Sequence, residues 1–313
     1  MTTRDAEIVV LGGGSAGLSA ALTLARARRR VVVIDSGEPR NAPAEGAHGL
    51  LGQEGVNPIA LLRKGIEEVT LYGGEIIHGR VTEARPDGGG FRIVTDTGTD
   101  VSARAVLIAT GTRDQLPDVP GLQERWGRDV IHCPYCHGWE IRDRRVGVLA
   151  TGPMSALQAL MFNQWTGDVQ FFPQGLDYSD HDLAKLTAVG IRVETRTIVR
   201  VEAQDDRLTG VHLADGSTVT LDALVVPTAT QARLDGLDGL GIAITESPAG
   251  TAIAVDPAGH TNVSGVWAAG NVANPATQVS EAAANGARVA MTMNTELVFL
   301  DADRAVAEME NTR

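Results

Sequence analysis

A glycine run near the start of the chain constrains the fold more than any other feature. Residues 7–11, EIVVL, form a continuous apolar stretch of strand length. They lead directly into Gly12-x-Gly14-x-x-Gly17 and then into the apolar-periodic LSAALTLARARR, and a second apolar stretch, VVVID, ends at Asp35. This order predicts a strand, a tight turn, a helix and a second buried strand, the βαβ unit that binds dinucleotides. In such a unit the first glycine permits the turn and the second lets the backbone approach a pyrophosphate. The third lets helix and strand close on each other, and the helix N-terminus offers amide donors. An acid at the place of Asp35 accepts hydrogen bonds from a ribose. Arg26, Arg28, Arg29 and Arg30 fall at the expected end of the first helix, where cations suit the dipole, and they read as a solvated cap rather than a binding patch.

The rest of the chain repeats this alternation. Residues 41–58 carry several Gly, Pro and Asn and read as a long loop, followed by a helix from Pro58 to Tyr72. Segments 76–84, 91–95 and 100–103 read as antiparallel strands around the DGGG turn at 87–90, and VLIATGT at 106–112 as a buried strand running into a glycine turn. RDQLPDVPG, with two prolines, has the composition of a hinge. From Arg145 a second strand–turn–helix begins, VGVLATGPMSALQALMF, with DVQFF at 168–172 as its next strand. More strands are expected at 191–195, 198–203, 208–213 and 217–226. ITESPAGTAIAVDP reads as a loop, SGVWAAGN as another strand–turn, and QVSEAAANGARVAMTMNTEL as a helix. The expected fold class is α/β: two three-layer Rossmann-like dinucleotide-binding domains, the second inserted into the first. Residues 1–115 and 249–313 would form one, and 116–248 the other.

Composition narrows the partners. A net charge of −12 repels phosphate backbones and excludes nucleic-acid binding. No apolar run approaches the ~20 residues of a membrane span. The start of the chain lacks the basic and apolar regions of a signal peptide, so a cytoplasmic location is the expectation.

Two cysteines, Cys133 and Cys136, make one C-x-x-C. A disulfide scaffold needs several bridges and a structural zinc site four ligands, so the pair points to redox chemistry. His132 and His137 flank it and can act as bases near neutral pH. Adjacent positions cannot all converge tetrahedrally on one ion, which disfavours a metal site. His48, in the glycine-rich loop, is a further histidine expected near the pair. His78, His181, His212 and His260 read as ordinary surface or core residues. The turn of the second alternation, Ala150-Thr151-Gly152-Pro153-Met154-Ser155, departs from the dinucleotide pattern, because its first glycine is alanine and Pro153 removes an amide donor. Phe171-Phe172-Pro173-Gln174, after the next strand, offers neither arginines for a 2′-phosphate nor an acid for a ribose. The second domain is therefore expected to be kept for architecture rather than for nicotinamide binding.

Ala109-Thr110-Gly111 and the segment from Thr261 to Gly270-Asn271, together with the first glycine motif, resemble the FAD-binding segments of two-dinucleotide-domain flavoproteins. In that family the last segment ends Gly-Asp; here Asn271 stands in place of the acid. Over essentially its whole length the chain resembles the low-molecular-weight thioredoxin reductases. Within them it is similar to the dithiol oxidase branch, whose members close disulfides in natural products such as holomycin and gliotoxin. The specific signals are Cys-Pro-Tyr-Cys-His-Gly, with His137 where a reductase carries an acid, and the eroded nicotinamide motif.

The resemblance implies FAD held by Gly12, Gly14, Ser15, Ala16, Gly17, Asp35, Ser36, Arg40, Gln53, Val81, Ala109, Thr110, Gly111, Gly270, Asn271, Gln278 and Val279. It implies Cys133 as the thiol that exchanges with a small-molecule dithiol and Cys136 as the thiol on the flavin side, with His137 and His132 moving protons. Dioxygen would take the electrons to give hydrogen peroxide, in a homodimer serving antibiotic biosynthesis. Two alternatives stay open: an NADPH-dependent disulfide reductase, and a non-catalytic flavoprotein that senses redox state.

Overall fold

The computed structural model describes residues 3–311, which divide into two compact units. The chain runs through β1 (Thr3–Leu11), α1 (Ser15–Arg26), β2 (Val31–Asp35), α2 (Pro58–Leu71), β3 (Glu75–His78), β4 (Val81–Asp87), β5 (Gly90–Thr95), β6 (Asp100–Ile108) and β7 (Thr112–Gln115). It continues through α3 (Leu122–Arg125), β8 (Val130–Ile131), α4 (Pro134–His137), β9 (Val146–Leu149), α5 (Ser155–Phe162), β10 (Val169–Phe172), α6 (Asp180–Ala188) and β11 (Arg192–Val193). Then come β12 (Ile198–Gln204), β13 (Arg207–Leu213), β14 (Thr218–Thr220) and β15 (Ala223–Val225). It closes with β16 (Ala229–Ala232), β17 (Ile244–Ser247), β18 (Gly250–Ile253), β19 (Val266–Ala268) and α7 (Val279–Asn311).

In the first unit β3, β2, β1 and β6 lie side by side in parallel. On its far side β6 pairs antiparallel with β5 along its first half and parallel with β19 along its second. Strict alternation sorts the side chains. Ile8, Val10, Val31, Val33, Leu107 and Trp267 face a core shared with α1, α2 and α7. Val9, Leu11, Val32, Ile34, Val106 and Ile108 face a second core, closed by Ala84, Phe91, Ile93, Leu237, Leu240 and Ile253. A strand buried on both faces needs this unbroken apolar composition, which is why the sequence shows these strands so clearly.

The second unit has the same three-layer logic. A parallel sheet ordered β11-β10-β9-β15-β8 packs one face on α5 and α6 and the other on the antiparallel sheet β12-β13-β14. The α/β fold with two Rossmann-like units thus stands as expected. Among the described residues, no helix is long and apolar enough to cross a membrane.

Several local expectations change. Segment 76–84 is two strands broken at Gly79 and Arg80, where Gly79 N–H donates to Asp35 O (2.9 Å) and Arg80 N–H to Asp96 Oδ1 (2.8 Å). Its first part, β3, is a parallel edge strand rather than part of the antiparallel run. Residues 100–108 are one strand. The stretch expected as a loop around Pro248 is the hairpin β17–β18, and the last helix extends to Asn311. Unit boundaries fall at 113/114 and 229/230, and residues 41–58 group with the second unit. The reasons are packing ones. Ala232, Leu237 and Leu240 bury themselves in the first unit's core, while Pro43 closes on Gly127 in the second.

Arg29 is no solvated cap. Its guanidinium donates to Glu7 Oε1 (3.0 Å), Asp301 Oδ2 (2.9 Å) and Asn294 Oδ1 (2.9 Å), and its side chain is only 10% exposed. It ties the end of α1 to β1 and to α7. Removing one member of a buried charge cluster costs ~3–5 kcal/mol, and because Glu7 and Asp301 keep solvent access we expect Arg29→Ala to cost about 2 kcal/mol. The check is the urea midpoint of the apoprotein at unchanged slope; an unmoved midpoint would mean the cluster contributes nothing.

Candidate functional site

The cofactor candidates lie at the C-terminal ends of the first unit's parallel strands, where open α/β sheets take ligands. Gly12, just past β1, has φ +103°, and a Cβ there would sit 2.4 Å from Ala109 O. A Cβ on Gly17 would sit 1.9 Å from Gly12 O, so both positions admit only glycine. Gly14 caps α1 with open space where a side chain would project and with no side-chain oxygen on the helix amides of Ser15, Ala16 and Gly17. Asp35 holds the turn from the next strand: Oδ1 accepts from Gly13 N–H (2.8 Å) and Oδ2 from Gly37 N–H (3.0 Å). Each oxygen keeps a second lone pair. A sequence reading could assign the acid to a ribose but not these two amide bonds.

Other candidates frame the same edge. Ala109 N–H donates to Leu11 O (2.7 Å), and Thr110 Oγ1 donates to Arg233 O (2.6 Å) before the positive-φ turn at Gly111. Gly270 N–H donates to Asn285 Oδ1 (2.8 Å), tying that turn to α7. Gln278 caps α7, its N–H donating to Glu281 Oε2 (3.1 Å), and Val279 opens the helix. Ser36 and Arg40 follow β2, and Val81 opens β4. Gln53 alone among these candidates belongs to the second unit.

Asn271 has a role in the chain itself. Its Nδ2 donates to the carbonyl oxygens of Thr277 (2.8 Å), Pro275 (3.1 Å) and Asn274 (3.4 Å). The amide organises the turn that leads into α7, and a carboxylate at this place would confront those oxygens with no donor. Asn271→Asp should therefore destabilise the apoprotein by about 1 kcal/mol, because the part-buried oxygens of Thr277 and Pro275 lose their donor and face a negative charge. An unchanged thermal midpoint would show the three bonds to be dispensable.

The redox candidates are in the second unit. Strand β8 ends at Ile131 and the chain passes through His132 into a single turn, α4, with Cys133 as its cap and Pro134 at its first position. Cys133 and Cys136 are joined in a disulfide, their Cα atoms 5.2 Å apart, and Cys136 N–H donates to Cys133 Sγ (3.1 Å). His132 is held by three groups: its Nδ1 lies 3.2 Å from the Thr228 amide nitrogen and 3.4 Å from the Val226 carbonyl oxygen, and Gln158 of α5 donates to its carbonyl.

His137 is different. Both ring nitrogens are buried and neither has a hydrogen-bond partner among the described residues. Burial holds its pKa below the ordinary 6.5; the Glu140 carboxylate opposes this, and nearby His48 adds to it. His48 comes from the 41–58 segment, as expected near the pair. Its Nδ1 pairs with Glu54 Oε1 (2.7 Å) and its Nε2 lies 3.5 Å from Glu140 Oε1.

The turn after β9 is closed upon itself. Thr151 N–H (3.1 Å) and Gly152 N–H (3.3 Å) both point to Ser155 Oγ, which is buried, and Tyr178 OH donates to Gly152 O (2.7 Å). After β10, Gln174 accepts from Ile198 N–H (2.8 Å) and donates to Ile198 O (3.2 Å). Ser155 and Gln174 escape notice in the sequence, because a serine and a glutamine carry no signal of being locked onto backbone.

This fold, with a glycine cradle in one unit and a disulfide in the other, defines an oxidoreductase of the two-dinucleotide-domain flavoprotein class. A family model described as pyridine nucleotide-disulphide oxidoreductase matches residues 6–288, and the chain belongs to that family. It is similar to HlmI, whose crystal structure superposes with a TM-score of 0.91 at 43% identity over 98% of this chain and 97% of that one. An oxidoreductase from Agrobacterium tumefaciens gives a TM-score of 0.89 at 36% identity, over 95% of this chain and 99% of its own. A Leptosphaeria maculans protein named thioredoxin reductase sirT is 31% identical, over 94% of this chain and 95% of its own length. Proteins of this family are FAD-binding flavoproteins, and FAD is the cofactor. The open Gly14 position, the helix amides free of side-chain caps and the unused lone pairs of Asp35 fit it.

Proposed function

We propose that this chain is an FAD-dependent dithiol oxidase acting on a small-molecule dithiol of natural-product type, such as a holomycin-like dithiol. The observation that carries the reading is the self-satisfied turn of the second unit. Ser155 Oγ takes the Thr151 and Gly152 amides, Pro153 has none, and Gln174 is spent on Ile198. A nicotinamide dinucleotide would have to break these bonds to find donors for its pyrophosphate. The disulfide and its histidines, by contrast, are intact.

In the proposed sequence a substrate thiolate attacks Cys133 Sγ, forming a mixed disulfide and releasing Cys136 as thiolate. The second substrate thiol then attacks the substrate sulfur, closing the substrate disulfide and releasing Cys133 as thiolate. The Cys136 N–H that already points at Cys133 Sγ favours that leaving group. Two protons leave the substrate and two electrons enter the cysteine pair. FAD, held by the Gly12–Gly17 turn and Asp35, would supply the two-electron oxidising chemistry that restores the Cys133–Cys136 disulfide, with dioxygen as the final acceptor and hydrogen peroxide as the product. His137, neutral because buried, accepts a thiol proton, and Glu140 favours the imidazolium that results. His132, held at Nδ1 beside Thr228 and Val226, is the second proton carrier.

With small dithiols the protein should consume oxygen, and Cys136→Ser, which leaves Cys133 as a free thiol, should capture the disulfide form of the substrate as a mixed disulfide on Cys133. NADPH should fail to bleach the flavin anaerobically; rapid stoichiometric bleaching would restore the reductase reading. His137→Ala should lower turnover by ~10²–10⁴ at full FAD content, the usual worth of positioned acid–base catalysis.

The pH profile gives a separate check. Neutral His137 is the active form, so the rate falls as pH drops through a pKa that lies below 6.5. Glu140→Gln removes the charge that raises that pKa and should move the acid limb further down. An acid limb centred above 6.5, or one that ignores the Glu140 substitution, would exclude His137 as the base.

A further inference from the structure

The first unit carries a cation without an anion. Arg233, just after β16, is anchored by its backbone to the turn that follows β6. Arg233 N–H donates to Gly111 O (3.0 Å), and Arg233 O accepts from Thr110 Oγ1 (2.6 Å). Its Nη1 donates to Glu38 O (2.9 Å), a backbone oxygen three residues beyond Asp35. The guanidinium therefore stands beside two of the turns that frame the dinucleotide cradle. Its Nε is buried with no partner.

The surrounding charges are already committed. Glu38 pairs with Arg80 (2.9 Å) and Asp235 with Arg113 (2.7 Å), while among the described residues Arg233 has no carboxylate. These four, Glu38, Asp235, Arg80 and Arg113, are the charged groups that bear on it. Three guanidiniums against two carboxylates leave one positive charge over. Burial, with Arg113 and Arg80 adding to it, makes the charged state of Arg233 harder to hold than that of an ordinary arginine. A half-buried guanidinium kept beside two others is unfavourable unless an anion completes the set.

We propose that Arg233 binds the diphosphate of FAD, supplying the positive charge that the glycine turn and the α1 amides alone lack. Among the described residues only one of its five N–H donors, on Nη1, has a partner, and a planar fork with donors to spare suits a phosphate better than a point charge would. No sequence motif marks the residue, which lies more than 200 positions from the Gly12–Gly17 turn.

The test is flavin affinity, measured on apoprotein by quenching of flavin fluorescence and by competition with ADP and adenosine. For Arg233→Met we expect FAD and ADP to bind about 10- to 100-fold more weakly, the range for losing a hydrogen bond to a charged group, with riboflavin and adenosine unaffected. Arg233→Lys should lose less, since it keeps the charge and gives up the fork. Apoprotein thermal midpoints show whether each variant folds; if the Met variant does not, the Lys variant carries the test with its smaller expected loss. Wild-type FAD affinity retained in a folded variant overturns the proposal. So does an equal loss for adenosine and ADP, which would mean contact with the base or sugar. If the wild-type chain itself bound no FAD, the cofactor would be at fault and not the role of Arg233.

Discussion

The cofactor half of the molecule depends on how closely the start of α1 can approach the turn that precedes it. A methyl group on Gly17 would stand 1.9 Å from the Gly12 carbonyl, and one on Gly286 would stand 2.0 Å from the carbonyl of Ala16. The last helix therefore presses its own glycine against the backbone that carries the cradle. Helix-to-helix contact at this distance leaves no slack. Arg29 clamps the far end of the same pair, joining α1 to α7 through Asp301 and Asn294. Glycines at one end and a shared guanidinium at the other hold the first helix in register. The amides it offers are then directed by packing, not by a flexible loop.

What could be read in the sequence was whatever local chemistry enforces. The strands β1, β2 and β6 are buried on both faces and show as unbroken apolar runs, and the glycine turn between the first two is fixed by sterics. The C-x-x-C and its flanking histidines were equally plain. Features decided by long-range pairing were not. β3 belongs to the parallel sheet because it lies beside β2, which its own composition does not reveal. The β17–β18 hairpin hides behind Pro248 and Gly250, which give its turn the look of a loop. Arg29 passed for a surface residue because its partners lie elsewhere in the chain, with Asp301 272 positions away.

Asn271 shows how a departure from a family pattern can have a local cause. The family's acid at this place is replaced by a side chain whose amide group holds three carbonyl oxygens of the turn before α7. The substitution does more than neutralise a charge, because it makes the side chain a donor. The sequence told of the replacement, and the surrounding oxygens give its reason.

On the proposed reading the second unit keeps a dinucleotide fold without its dinucleotide, and its sheet edge shows what else that fold can do. The parallel strands β8 and β15 are neighbours, with Val130 opposite Leu224 and Ile131 opposite Val225. Beyond their C-terminal ends the chain reaches His132 on one strand and Thr228 on the other, and the Thr228 amide holds the His132 ring. Helix α5, which in a nucleotide-binding unit would present its first turn to a pyrophosphate, instead sends Gln158 to the His132 carbonyl. The Thr228 amide and the Gln158 side chain thus brace the segment that enters the disulfide. A turn as short as α4 cannot fix two sulfurs and a buried imidazole by itself, since its own ladder is two hydrogen bonds, from His137 N–H to Cys133 O (3.2 Å) and from Gly138 N–H to Pro134 O (2.7 Å). Its geometry is borrowed from the sheet edge. The C-terminal edge of the parallel sheet, which frames the cofactor candidates in the first unit, mounts the redox pair in the second, beyond its edge strand β8.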